Sequence, residues 1–147
     1  MSFRLRSPSE KLADTCWLPR FVDKARRFLA NELSPEYAGR FCNPRAMDGL
    51  FLAHFVIGQE EFMEAVRASD GNDGQVADWF RAQAGVTNES VSNWNREAPK
   101  IGAVGQRGHE IFRKLVTERY PDVPYTGVES AFAVIEADEG RNAQNPA

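Results

Sequence analysis

No stretch of this chain stays apolar for the ~20 residues that a bilayer crossing needs. The greasiest run, Leu50 to Ile57, is interrupted by His54 and reads as a core helix. Cysteine is scarce: Cys16 and Cys42 are too few for a disulfide framework and fit a reducing compartment, the cytoplasm. The first residues, MSFRLRSPSEK, carry positive charge without the apolar segment of a secretory signal, so export is not expected. Positive charge is not in surplus. With 18 Lys and Arg against 21 Asp and Glu, spread along the chain, there is no broad footprint for nucleic acid or anionic lipid. Histidine is rare too. His54, His109, Cys16 and Cys42 form no C-x-x-C, no H-E-x-x-H and no close ligand pair, so no metal and no cofactor are expected.

What the chain does contain is helix signal. Ser7-Pro8-Ser9-Glu10 offers a hydroxyl N-cap, a first-turn proline and a glutamate at the third helical position, which predicts a helix start. Trp17-Leu18-Pro19 opens a second helix, with Leu18, Phe21, Ala25, Phe28 and Leu29 at three- and four-residue spacing. Arg20, Asp23, Lys24, Arg26 and Arg27 take its other sides. Residues 34–47, with two prolines and a glycine, read as one long irregular loop. Asp48 is expected to cap the apolar helix GLFLAHFVI, which Gly58 ends. Further helices are predicted from Glu60 to Ala68 and through Val76, Trp79, Phe80 and Ala84 as far as Gly85. Another starts at Thr87 or Asn88 and stops at Pro99. HEIFRKLVTERY gives one more, and Thr126-Gly127-Val128-Glu129 is a capping box for the last. The expectation is an all-α, single compact domain of about seven helices over residues 1–141, followed by a disordered tail, 142–147.

Several constellations could carry function. The ionic face of the Trp17 helix either is solvated or holds a ligand carboxylate or phosphate through Arg20 and Lys24, beside Asp23. Asp138 and Glu139 oppose the dipole of the final helix by roughly 0.3–1 kcal/mol each. With Arg141 they suggest an ionic clamp onto Arg20, Lys24 and Arg27. QVADWFRAQAGVTNESVSNWNRE, residues 75–97, imitates a DNA-reading helix-turn-helix. Its second helix offers one cation against Glu89 and Glu97, so an ordinary helical hairpin fits better. Gly102, Gly105 and Gly108 lack the strand and the Lys-Ser/Thr of a phosphate loop. His54 reads as a hydrogen-bonded core histidine, with a general base as the alternative, and Cys42 as a buried thiol.

LRSPSEK, then WLPRFVDKARRFL, Met47-Asp48-Gly49, Asp78-Trp79-Phe80, Trp94-Asn95 and the closing IEADEGR together resemble domain-of-unknown-function (DUF) family 5069 from Leu5 to Arg141. The resemblance implies a small helical bacterial protein and supplies no activity. It also implies a pair of small residues, often two glycines, where Ala13-Asp14 stands here. The favoured expectation is a non-enzymatic helical module that binds a partner protein, a second copy of itself or a small acidic ligand. Candidate contacts are Arg20, Asp23, Lys24, Cys42, Asn43, His54 and Asn95. The alternatives are an enzyme with its site between the 41–48 loop and the 17–33 helix, and DNA binding through residues 75–97. No membrane partner is expected.

Overall fold

The computed structural model describes residues 5–38, 41–43, 46–120, 123, 125–127 and 129–140. The chain is mainly helical and divides into two compact units, residues 1–94 and 95–147. In the first unit the expected periods become helices α1 (Leu18–Leu29), α3 (Met47–Phe55), α4 (Gln59–Ser69) and α5 (Asp73–Arg81), with α6 (Asn88–Glu97) running into the second. A single turn, α2 (Pro35–Ala38), interrupts the segment expected to be irregular throughout. Aromatic rings fill the centre. Phe21 lies flat against Phe62 at 4.1 Å, and Phe51 meets Phe80 at 5.8 Å and the edge of Trp94 at 5.3 Å. Phe21, Phe51, Phe55, Phe62 and Phe80 are fully buried, each worth about 1.5–3 kcal/mol of transfer free energy.

Two local expectations fail near the start. Ser7-Pro8-Ser9-Glu10 opens no helix. The Ser7 hydroxyl accepts the Ser9 N–H at 3.1 Å and the Ser7 carbonyl accepts that of Glu10 at 3.1 Å, a turn that satisfies the backbone locally and competes with a helix. A two-stranded antiparallel hairpin follows, β1 (Lys11–Leu12) and β2 (Thr15–Cys16), with Leu12 opposite Thr15. Its loop is Ala13-Asp14, at φ 52° and 60°. Both central residues are left-handed, the geometry for which glycine is best suited. That accounts physically for the small pair the family resemblance implies there.

The second failure concerns α3. Its N-cap is Ala46, in extended conformation, and Asp48 sits inside the first turn with its carboxylate turned into the core. Its other end is a left-handed cap at Val56 (φ 55°, ψ 50°), where Ile57 N–H bonds Leu52 O at 2.9 Å. The Val56 side chain is 82% exposed. It therefore bears a left-handed backbone cost with almost no burial to offset it. Val56→Gly is expected to stabilise the protein by about 1 kcal/mol, net of the extra freedom glycine gives the unfolded chain, seen as a higher urea midpoint.

Between α5 and α6, Thr87 and Ser90 cap reciprocally: Thr87 N–H donates to Ser90 Oγ at 2.8 Å and Ser90 N–H to Thr87 Oγ1 at 3.0 Å. In the second unit a 3-10 turn (Ala98–Lys100) precedes α7 (His109–Arg119) and α8 (Ala131–Asp138). Gly102, Gly105 and Gly108 all take positive φ, 89°, 76° and 78°, so the glycine-rich stretch is a chain of turns. Its walls close tightly on themselves: a Cβ at Gly102 would stand 2.9 Å from the Phe112 ring. The expected capping box forms by half, with Thr126 N–H and Oγ1–H both donating to the Glu129 carboxylate at 3.0 and 2.9 Å, and α8 begins later, where the Ser130 hydroxyl accepts Ala133 N–H. Among the described residues no helix is long and apolar enough to cross a membrane.

Candidate functional site

The ionic residues of α1 do not form a solvated face. Arg20, Asp23 and Lys24 are 2%, 6% and 5% exposed, whereas Phe28 on the expected apolar side is half exposed. The side of α1 that carries the charges is covered by the chain's own first turn and by α3, and each buried charge has a partner. Lys24 Nζ lies 3.2 Å from Asp48 Oδ2 and 3.3 Å from Oδ1. Asp48, fully buried, also accepts the Trp17 indole N–H at 2.9 Å and the Cys42 backbone N–H at 3.2 Å. A carboxylate in the core is tolerable only with such saturation. The Trp17 ring lies under the Lys24 ammonium at 4.9 Å and near the Arg20 guanidinium at 5.6 Å, two cation–π contacts. Arg20 also donates to Arg6 O at 3.1 Å.

Both backbone segments that deliver these groups are bent. Trp17 has φ 73° and ψ −31°, and Cys42 has φ 57°. For a bulky residue this is a true outlier, held because the buried hydrogen bonds over-determine it. The chemistry the cluster offers is limited. Burial pushes the Cys42 thiol up to about 12, with the Asp48 charge adding to the rise and Lys24 opposing it. At neutral pH it is a protonated thiol and a poor nucleophile. Cys16 is likewise pushed up to about 11, by burial first.

On the other flank of α1 lies an open depression of ≈ 370 Å³ lined by Arg6, Asp23, Arg26, Arg27, Glu32, Gly71 and Asp73. Arg6 grips Asp23 through its backbone N–H at 2.8 Å and its side chain at 2.9 Å, and reaches Asp73 at 2.8 Å. Burial alone would lower the Arg6 pKa, but its bonds to the two aspartates outweigh that and raise it above the ordinary arginine value. Asp73 is held below the usual carboxylate range, by Arg6 first and then by Arg26. Arg26 Nη1 donates to Asp73 at 2.9 Å, while its Nε and Nη2 are buried and meet no acceptor among the described residues. Nε and Nη2 form one edge of the guanidinium, the edge that takes a carboxylate or phosphate in two parallel bonds. A second opening, ≈ 480 Å³, is lined by Glu60, Glu61, Glu64, Ala65, Ala68 and Trp79, with Glu64 already paired to Arg67.

The sequence candidates are thus distributed. Arg20, Lys24 and Cys42 meet around Trp17 and Asp48, with Asn43 half-buried next in the chain. Asp23 belongs to the Arg6 network, and Arg27 lines the depression. His54 is elsewhere: its Nε2 lies 2.8 Å from Ser90 O and its ring against Phe55 and Trp94. Asn95, Asp138 and Glu139 lie in the second unit, and Arg141 lies outside the described residues. On α6 the exposed groups include Glu89, Ser92 and Arg96, and Arg96 is bonded to Glu97. Among the described residues no three His, Cys, Asp or Glu side chains are grouped to hold a metal ion. Asp48, Trp17, Arg6 and Asp73 join these networks without a local sequence pattern that marks them as site residues. Only the Met47-Asp48-Gly49 run hinted at the first. No curated protein matches the chain at a significant level. Residues 3–141 match the family described as Domain of unknown function (DUF5069), and a match over that span means the chain belongs to it.

Proposed function

We propose that this protein is a non-enzymatic module of the bacterial cytoplasm that binds a small anion, a carboxylate or phosphate, in the depression beside Arg26. The observation that carries the reading is Arg26, which lines the open depression and holds two buried donors, Nε and Nη2, without an acceptor among the described residues, so that a turn of the guanidinium presents them to a ligand. Buried donors left unmade cost about 1–3 kcal/mol each, and a bidentate oxyanion satisfies both at once. Arg20 and Lys24, the first candidates for the same task, are sealed in the core and engaged with other groups. The reducing compartment fits two cysteines held as thiols. Thiol catalysis is disfavoured by the raised Cys42 pKa, and DNA reading by the acidic balance of α6.

The test is thermal unfolding in acetate and in inorganic phosphate. The wild type should gain stability that saturates with concentration, by about 2.7 kcal/mol at a hundredfold excess over Kd. Arg26→Lys keeps the charge near Asp73 and removes the fork, and should abolish most of the gain. An equal gain in the Lys variant would place the anion elsewhere and sink the reading.

A further inference from the structure

We infer that the ligand of this depression is a zwitterion of the α-amino acid class, a refinement that rests on the anion-binding reading above. The charges of the cavity wall decide it. Arg6 is shared between Asp23 and Asp73, Asp73 between Arg6 and Arg26, and Arg27 is engaged as well. Two groups are left over, and they are of opposite sign: the Nε–Nη2 edge of Arg26 and the carboxylate of Glu32, which makes no hydrogen bond or ion pair among the described residues. The two do not bond to each other. A ligand that carries both charges can meet both.

A plain anion satisfies only Arg26. Bound there, it also shares the cavity with the uncompensated Glu32 carboxylate, a like-charge arrangement that costs affinity. A molecule with a carboxylate on Arg26 and an ammonium toward Glu32 leaves the cavity neutral. The ammonium supplies three donors, and the Glu32 carboxylate only accepts. Glu32 follows closely on the C-terminus of α1 at Leu29, where the helix carries partial negative charge, so the backbone favours a cation in the same place. At ≈ 370 Å³ the depression lies within the range of small-molecule sites and accommodates a free amino acid.

Calorimetric titration of the intact protein with matched pairs tests this: alanine against propionate, glutamate against glutarate. The amino acid of each pair should bind roughly three- to tenfold more tightly than its deaminated partner, the scale of one charge-assisted hydrogen bond discounted for solvent. Glu32→Gln, an exposed substitution, should erase that difference, weakening alanine and tightening propionate as the like charge is removed. Equal affinities within each pair, or a difference that survives Glu32→Gln, would overturn the inference and leave the anion reading standing. If propionate, acetate and phosphate all fail to bind, the anion reading itself falls.

Discussion

Asp48→Ala is expected to destabilise the protein by about 3–5 kcal/mol, a large part of the 5–15 kcal/mol that holds an ordinary domain together. The loss does not measure the strength of the Lys24–Asp48 pair. It measures what remains when the carboxylate goes: an ammonium 5% exposed, with the Trp17 and Cys42 N–H groups deprived of the acceptor they share. Replacing both charges should therefore be milder than replacing one. Lys24→Met added to Asp48→Ala is expected to recover about half of the loss, because the stranded charge disappears and only the two orphaned donors persist. Urea denaturation of the wild type, both single variants and the double variant gives the coupling directly. Additive losses would mean that the pair is not coupled in the folded protein.

Gly85→Ala should rank close behind, at about 3 kcal/mol, the upper range for overpacking. A Cβ at this position would stand 2.0 Å from the Phe55 carbonyl oxygen and 2.8 Å from its carbon. Both are backbone atoms at the C-terminal end of α3, so no side chain can swing aside. The helix end itself must shift, and with it Phe55, which packs on Phe80 at 5.0 Å and on Trp94 at 6.0 Å. Near-ultraviolet circular dichroism should weaken together with the denaturation midpoint. A variant with an unaltered midpoint would show that the two chain segments do not approach so closely.

These two sites differ in how far the sequence exposed them. The long apolar periods were readable: the stripe of α4, the rings of α5, and the almost wholly apolar α3 all fold as their spacing predicts, because burial of such a stripe fixes a helix by itself. Gly85 was legible as a helix stop, though not as the point where two backbones touch. The charged side of α1 misled for a physical reason. Charge at regular spacing implies water only when nothing compensates it, and Lys24 meets its partner 24 residues away while Arg6 meets Asp73 across 67. No local spacing carries such pairings. The first turn departs from the expected helix because a proline and a hydroxyl serve a tight turn as well as a helix start. The hairpin went unseen because Ala13-Asp14 fills a loop that Asn-Gly normally announces.

The Cys42 amide is tied to the same carboxylate that neutralises Lys24, and its sulfur is both buried and protonated. An alkylating reagent can therefore reach it only during moments when this part of the molecule comes apart. The rate at which Cys42 is labelled becomes a clock for the breathing of the core, read from a residue the protein already carries.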